Sequence, residues 1–68
     1  MKLNKVIEED ITESLEMKVN AGYTTYELKQ WLMGYLDALV PFYVKEVLTY
    51  DEYDELRELI FKHYGELD

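Results

Sequence analysis

His63 and Ser14 are the residues most able to do nucleophilic chemistry in this 68-residue chain, and each is the only one of its type. A nucleophile needs a base within hydrogen-bond reach. These two fall on different predicted helices, and His63 reads instead as the positive end of the last helix, where it complements the dipole. Carboxylates are plentiful, but on solvated faces nothing perturbs their pKa values towards acid–base work. The chain is therefore expected not to be an enzyme.

Metal chemistry is the next option. Asp51, Asp54, Glu55 and Glu58 are hard ligands on one helix face. A regular helix does not wrap carboxylates round one ion, and no EF-hand loop is present. With one histidine and no cysteine, a structural zinc site is not expected. No metal and no cofactor are expected.

The same carboxylates admit another use. Rows of acids on rigid helices can imitate phosphates and occupy a basic groove. Glu9, Glu13 and Glu16 form one such row, and Asp51, Asp54, Glu55 and Glu58 the other. Solvation of a small chain explains these faces equally well. Of the seven tyrosines, Tyr23, Tyr26, Tyr43 and Tyr50 cluster near helix ends and linkers. Tyrosine suits binding patches, because it offers area at low entropic cost. The alternative is that these rings simply close the ends of a helix bundle.

The elements that must position these residues are three helices, near 4–20, 25–40 and 50–64. In the first, Ile7, Ile11 and Leu15 recur every four residues, extended by Leu3 and Val19. Asn4 is the candidate N-cap, and Gly22 can take the left-handed conformation after the helix ends. The central helix opens on a capping box, Thr24 with Glu27. Its face of Leu28, Trp31, Leu32, Tyr35, Leu36 and Leu39 is the broadest in the chain. Pro41 is expected to close it. Gly34 costs roughly 1 kcal/mol relative to alanine. It is either simply exposed or, with Gln30 and Ala38, clears a side for another helix. Thr49 and Glu52 repeat the capping box. Tyr53, Leu56, Ile60 and Tyr64 follow, with Gly65 as C-cap. Residues 41–48 read as a short helical turn or ordered connector, or as a Pro-kinked continuation of the central helix.

The fold expected is thus all-α, a single three-helix domain around Leu15, Trp31, Leu32, Tyr35, Leu36, Leu39, Leu56 and Ile60. On this reading, truncating Trp31 to Ala costs roughly 3–5 kcal/mol. So short a chain has a marginal core. A homodimer would bury more apolar surface, against the repulsion of the acidic backs.

Fifteen acids against seven bases give a net charge of −8 and a pI near 4.4. This excludes a large duplex-binding face and disfavours anionic membranes. A protein with a basic surface is the expected partner. No apolar block of signal-peptide or membrane-spanning length is visible, so the expected location is the cytoplasm. Lys18, Lys29, Lys45 and Arg57 are too scattered to form a nucleotide pocket.

The order Leu-x-x-Trp-Leu-x-Gly-Tyr-Leu at 28–36, a linker, Leu48-Thr49 and an acidic helix at 51–62 resembles small accessory proteins of tailed phages and prophages. The resemblance covers 24–64, and that group has no single activity. It implies a small phage product that binds something in the host or the virion, in the first case within the host cytoplasm. Two expectations follow: an inhibitor of a host nucleic-acid enzyme or defence system, in the manner of an anti-CRISPR protein or a DNA mimic, or an oligomeric structural or regulatory phage component. Gene neighbourhood separates them.

Overall fold

A computed structural model describes residues 2–67. It contains three helices, α1 (Leu3–Asn20), α2 (Thr25–Val44) and α3 (Tyr50–Glu66), joined by short turns. The fold is all-α, as the periodicity predicts.

The capping boxes form as expected. Glu27 and Glu52 donate their amides to the hydroxyls of Thr24 and Thr49, and their carboxylates accept from the threonine amides at 2.9 and 3.0 Å. These bonds hold both carboxyls below the usual range. A group whose folded pKa is lowered contributes stability above its unfolded pKa, which is lost as pH falls through the folded value. The two caps are therefore expected to weaken below pH 4.5, their ordinary value. Thermal melts of a Glu27→Gln/Glu52→Gln variant between about pH 6 and about pH 3 should show a flatter acid decline than the parent. An identical decline would remove the caps as its source.

Three expectations about the helices are corrected. Asn4 is not a cap: the N-cap is Lys2, without a side-chain bond. Asn4 sits inside the first turn, 4% exposed, and its Nδ2 donates to Glu55 Oε2 on α3 at 3.0 Å. Its Nδ2 is turned to a carboxylate on another helix, and the Oδ1 that first-turn N–H groups were expected to use has no partner among the described residues.

Pro41 does not close α2, which runs on to Val44. Proline removes one amide donor, the one that would meet the Asp37 carbonyl. The next turn recovers: Lys45 donates to the Pro41 carbonyl at 2.9 Å. Of the readings for 41–48, helical continuation holds for 41–44.

Gly65 lies within α3, which is capped at Leu67. Gly34 faces open space, since a methyl added there would meet nothing within 4 Å. No helix of this chain uses the cleared side formed with Ala38.

Two helix ends share one motif. After α1, Gly22 at φ 89° lets Tyr23 donate to the Lys18 carbonyl and Gly22 to that of Val19. After α2 the same pair of bonds runs from Val47 to Phe42 and from Glu46 to Tyr43. There the left-handed residue is Glu46, at φ 61°. Both are Schellman ends, in which the left-handed position favours glycine.

The core is Ile11, Leu32, Leu39, Leu48, Leu56 and Ile60, with Leu15 and Leu28 also buried. Leu48 enters it from the turn before α3. Trp31, Tyr35 and Leu36 are packed against the core but only half-buried. The face of α2 is wider than two neighbouring helices can cover, so its aromatic side becomes an edge. Trp31 meets Tyr35 edge-on at 5.6 Å. The Tyr35 hydroxyl donates to Asp10 at 2.7 Å, and burial followed by that bond pushes its pKa up.

Candidate partner-binding surface

The two rows of carboxylates have different fates. Glu9, Glu13 and Glu16 are exposed on the outer side of α1, opposite its buried Ile11 and Leu15. The α3 row is engaged within the chain. Asp54 accepts from Arg57 at 2.6 Å, a bond that raises the Arg57 pKa. Glu55 accepts from Asn4, and with Glu58 it lines an open groove against Lys5, Glu8, Leu59 and Lys62. Bases therefore interrupt this side, although Asp51, Glu55 and Glu58 all remain exposed. The groove offers cations and carboxylates in near balance.

Ser14 and His63 are not brought together by any hydrogen bond. The Ser14 hydroxyl donates to Asp10 at 3.4 Å, on its own helix. His63 is half-buried on α3, and its Nε2 is buried without a partner among the described residues.

The tyrosines separate into two groups at opposite ends of the bundle. At the α1–α2 turn, Tyr23 and Trp31 lie under one cation, with Lys18 Nζ at 5.2 Å from each ring centroid. Tyr64, near the end of α3, lies under Lys29 at 4.9 Å. Tyr26 projects into solvent, 71% exposed. The chain's own lysines thus sit over Tyr23, Trp31 and Tyr64 at this end, and Tyr26 is left uncovered among the described residues.

The other end is built by the junction of α2 and α3. The capping box at Thr49 fixes the direction in which α3 begins, so Tyr50 and Tyr53 emerge beside the last turn of α2. There Tyr43 stacks on Tyr53 at 5.2 Å and lies 6.0 Å from Tyr50. Tyr43 and Tyr50 are 40% and 58% exposed, and Phe42, Val44 and Val47 are exposed around them. Asp51 follows Tyr50 in the first turn, and Glu46 leads away from Tyr43. Arg57 lies close enough to feel both Tyr50 and Tyr53, but it is held by Asp54.

Of the expected site residues, then, Tyr43, Tyr50, Asp51 and Asp54 come together in one region. Glu55 and Glu58 turn towards α1, Tyr23 and Tyr26 lie at the far end, and Glu9, Glu13 and Glu16 stand apart. The same end of the bundle also holds Tyr53, Phe42, Val44, Val47 and Glu46, which the sequence pattern did not assign to a binding patch. Tyr53 was readable in principle, since it falls three residues after Tyr50 on a helix with a firm start.

Among the described residues no helix is long and apolar enough to cross a membrane. Comparison with models of protein families, with curated proteins and with solved structures finds no match.

Proposed function

We propose that this protein acts without catalysis, by binding a protein with a basic surface. The observation that carries the reading is the pair of exposed rings Tyr43 and Tyr50 against the half-buried Tyr53, with exposed apolar side chains and carboxylates in the adjoining sequence, on a chain of net charge −8. Tyrosines supply contact area at low entropic cost, and the charge steers a basic partner in. In the phage setting that the sequence pattern suggests, the partner is a nucleic-acid enzyme or a defence protein of the host, met in its cytoplasm. Binding would inhibit it by covering its basic groove.

The test is capture from bacterial lysate on the immobilised full chain, at low and moderate salt. The parent is compared with two neutralised variants: Glu9, Glu13 and Glu16 to Gln, and Asp51, Asp54, Glu55 and Glu58 to Asn or Gln. A basic protein should be retained by the parent, be released by salt, and be retained at least tenfold less by one variant. Retention of nothing basic, or equal retention by all three proteins across salt, would overturn the reading.

A further inference from the structure

We infer that the α2–α3 end is an arginine-reading surface, with Tyr43 and Tyr50 as its stacking faces and Glu46 and Asp51 as its carboxylates. This rests on the proposed function and names the contact through which it would operate.

The first observation is a contrast between the two ends. At one end, Lys18 and Lys29 sit over Tyr23, Trp31 and Tyr64. These three rings already have a cation over a π face, and the solvent-exposed Tyr26 stands at this end as a lone ring without a stacked neighbour among the described residues. At the other end Tyr43 and Tyr50 are well exposed, and no lysine or arginine among the described residues lies over them. Arg57, which lies close to Tyr50 and Tyr53, is committed to Asp54.

The second observation is the left-handed Glu46. The same Schellman end is made with Gly22 after α1 and with Glu46 after α2. A side chain in that conformation is strained, and glycine would relieve it. A glutamate here gives up stability while placing a carboxylate three residues after Tyr43, behind Lys45 and next to the exposed Val47. Strain of this kind gathers where a side chain is needed for contact.

The occupant follows from charge and shape. A chain of net charge −8 attracts a basic segment. Arginine fits these groups better than lysine, because its planar guanidinium stacks on a tyrosine ring while its edge meets a carboxylate. Phe42, Val44 and Val47 offer apolar surface to the stems of such side chains.

The experiment uses the full chain and two probes, a capped octa-arginine peptide and a capped octa-lysine peptide. Backbone and ring NMR shifts are followed during titration at low salt. The expected result is that octa-arginine moves the signals of 42–54 and binds several-fold tighter than octa-lysine. Tyr50→Ala should weaken it about fivefold. Glu46→Gly should weaken it about twofold while raising the melting temperature by about 4 °C. The stability rise shows that the variant is folded, so lost binding cannot be blamed on unfolding. Shifts confined to Glu9, Glu13 and Glu16 would overturn this surface and leave the proposed function standing. No shift anywhere would count against both. Equal binding of the two peptides would overturn the arginine preference, and unchanged affinity of the Glu46→Gly variant would remove Glu46 from the site.

Discussion

Leu32→Ala is expected to cost about 3–4 kcal/mol, and to leave the chain largely unfolded at about 37 °C, given the small stability of so short a domain. Leu32 has no exposure and lies at the middle of α2, inside the cluster of Ile11, Leu39, Leu48, Leu56 and Ile60. Three helices and the turn residue Leu48 converge on that cluster. Removing the isobutyl group leaves a cavity that none of them can fill without moving its own helix.

Trp31→Ala is expected to cost less, about 2 kcal/mol, because the ring is half-buried and truncation opens it to solvent instead of leaving a void. This is below the roughly 3–5 kcal/mol that the sequence suggests for Trp31. Urea unfolding of both variants decides it: a Trp31→Ala cost equal to or above that of Leu32→Ala would put Trp31 back at the centre of the core.

The second large effect is expected at the bond between Asn4 and Glu55. Asn4 is buried, its Nδ2 meets Glu55, and its Oδ1 has no partner among the described residues. Glu55→Ala would leave the amide wholly unpaired and should cost about 1–3 kcal/mol. Asn4→Leu replaces the amide with an apolar group of similar size and should be neutral or stabilising. In the Asn4→Leu background, Glu55→Ala should then cost little. A double-mutant cycle by urea unfolding reads this coupling. If Glu55→Ala cost the same in both backgrounds, the bond would be incidental. Glu55→Gln keeps an acceptor for Asn4, which is why neutralised variants of the α3 face should still fold.

Local chemistry was the legible part of this fold. Thr24 with Glu27, Thr49 with Glu52, and Gly22 are decided by residues three or four apart, and all three behave as their types require. The apolar rows of α2 and α3 likewise located Leu32, Leu39, Leu56 and Ile60. What was hidden depended on distant partners. Asn4 reads as a cap until α3 brings Glu55 to it from 51 residues away. Trp31 reads as central until only two helices prove available to cover α2. Pro41 reads as a stop, yet one lost hydrogen bond is tolerable when a Schellman end anchors the following turn.

The candidate site divides in the same way. Periodicity identified the carboxylates and most of the tyrosines. Which acids meet Arg57 or Asn4, and which rings lie under Lys18 or Lys29, depends on how the helices are placed against each other. Glu46 could not be read from sequence, because nothing in the local pattern assigns it the left-handed position that Gly22 fills at the other turn.

The bond from Asn4 to Glu55 also bears on the order in which the molecule assembles. Contacts between α1 and α2, or between α2 and α3, close across short turns and lose little chain entropy. Pairing of α1 with α3 closes the longest stretch of chain and is expected to come last. The Asn4–Glu55 bond, which joins residues 51 apart, is therefore expected to form after the folding barrier, so that breaking it quickens unfolding and leaves the folding rate nearly unchanged. This polar contact acts as a latch: it sets how long the finished bundle lasts, not how fast it forms.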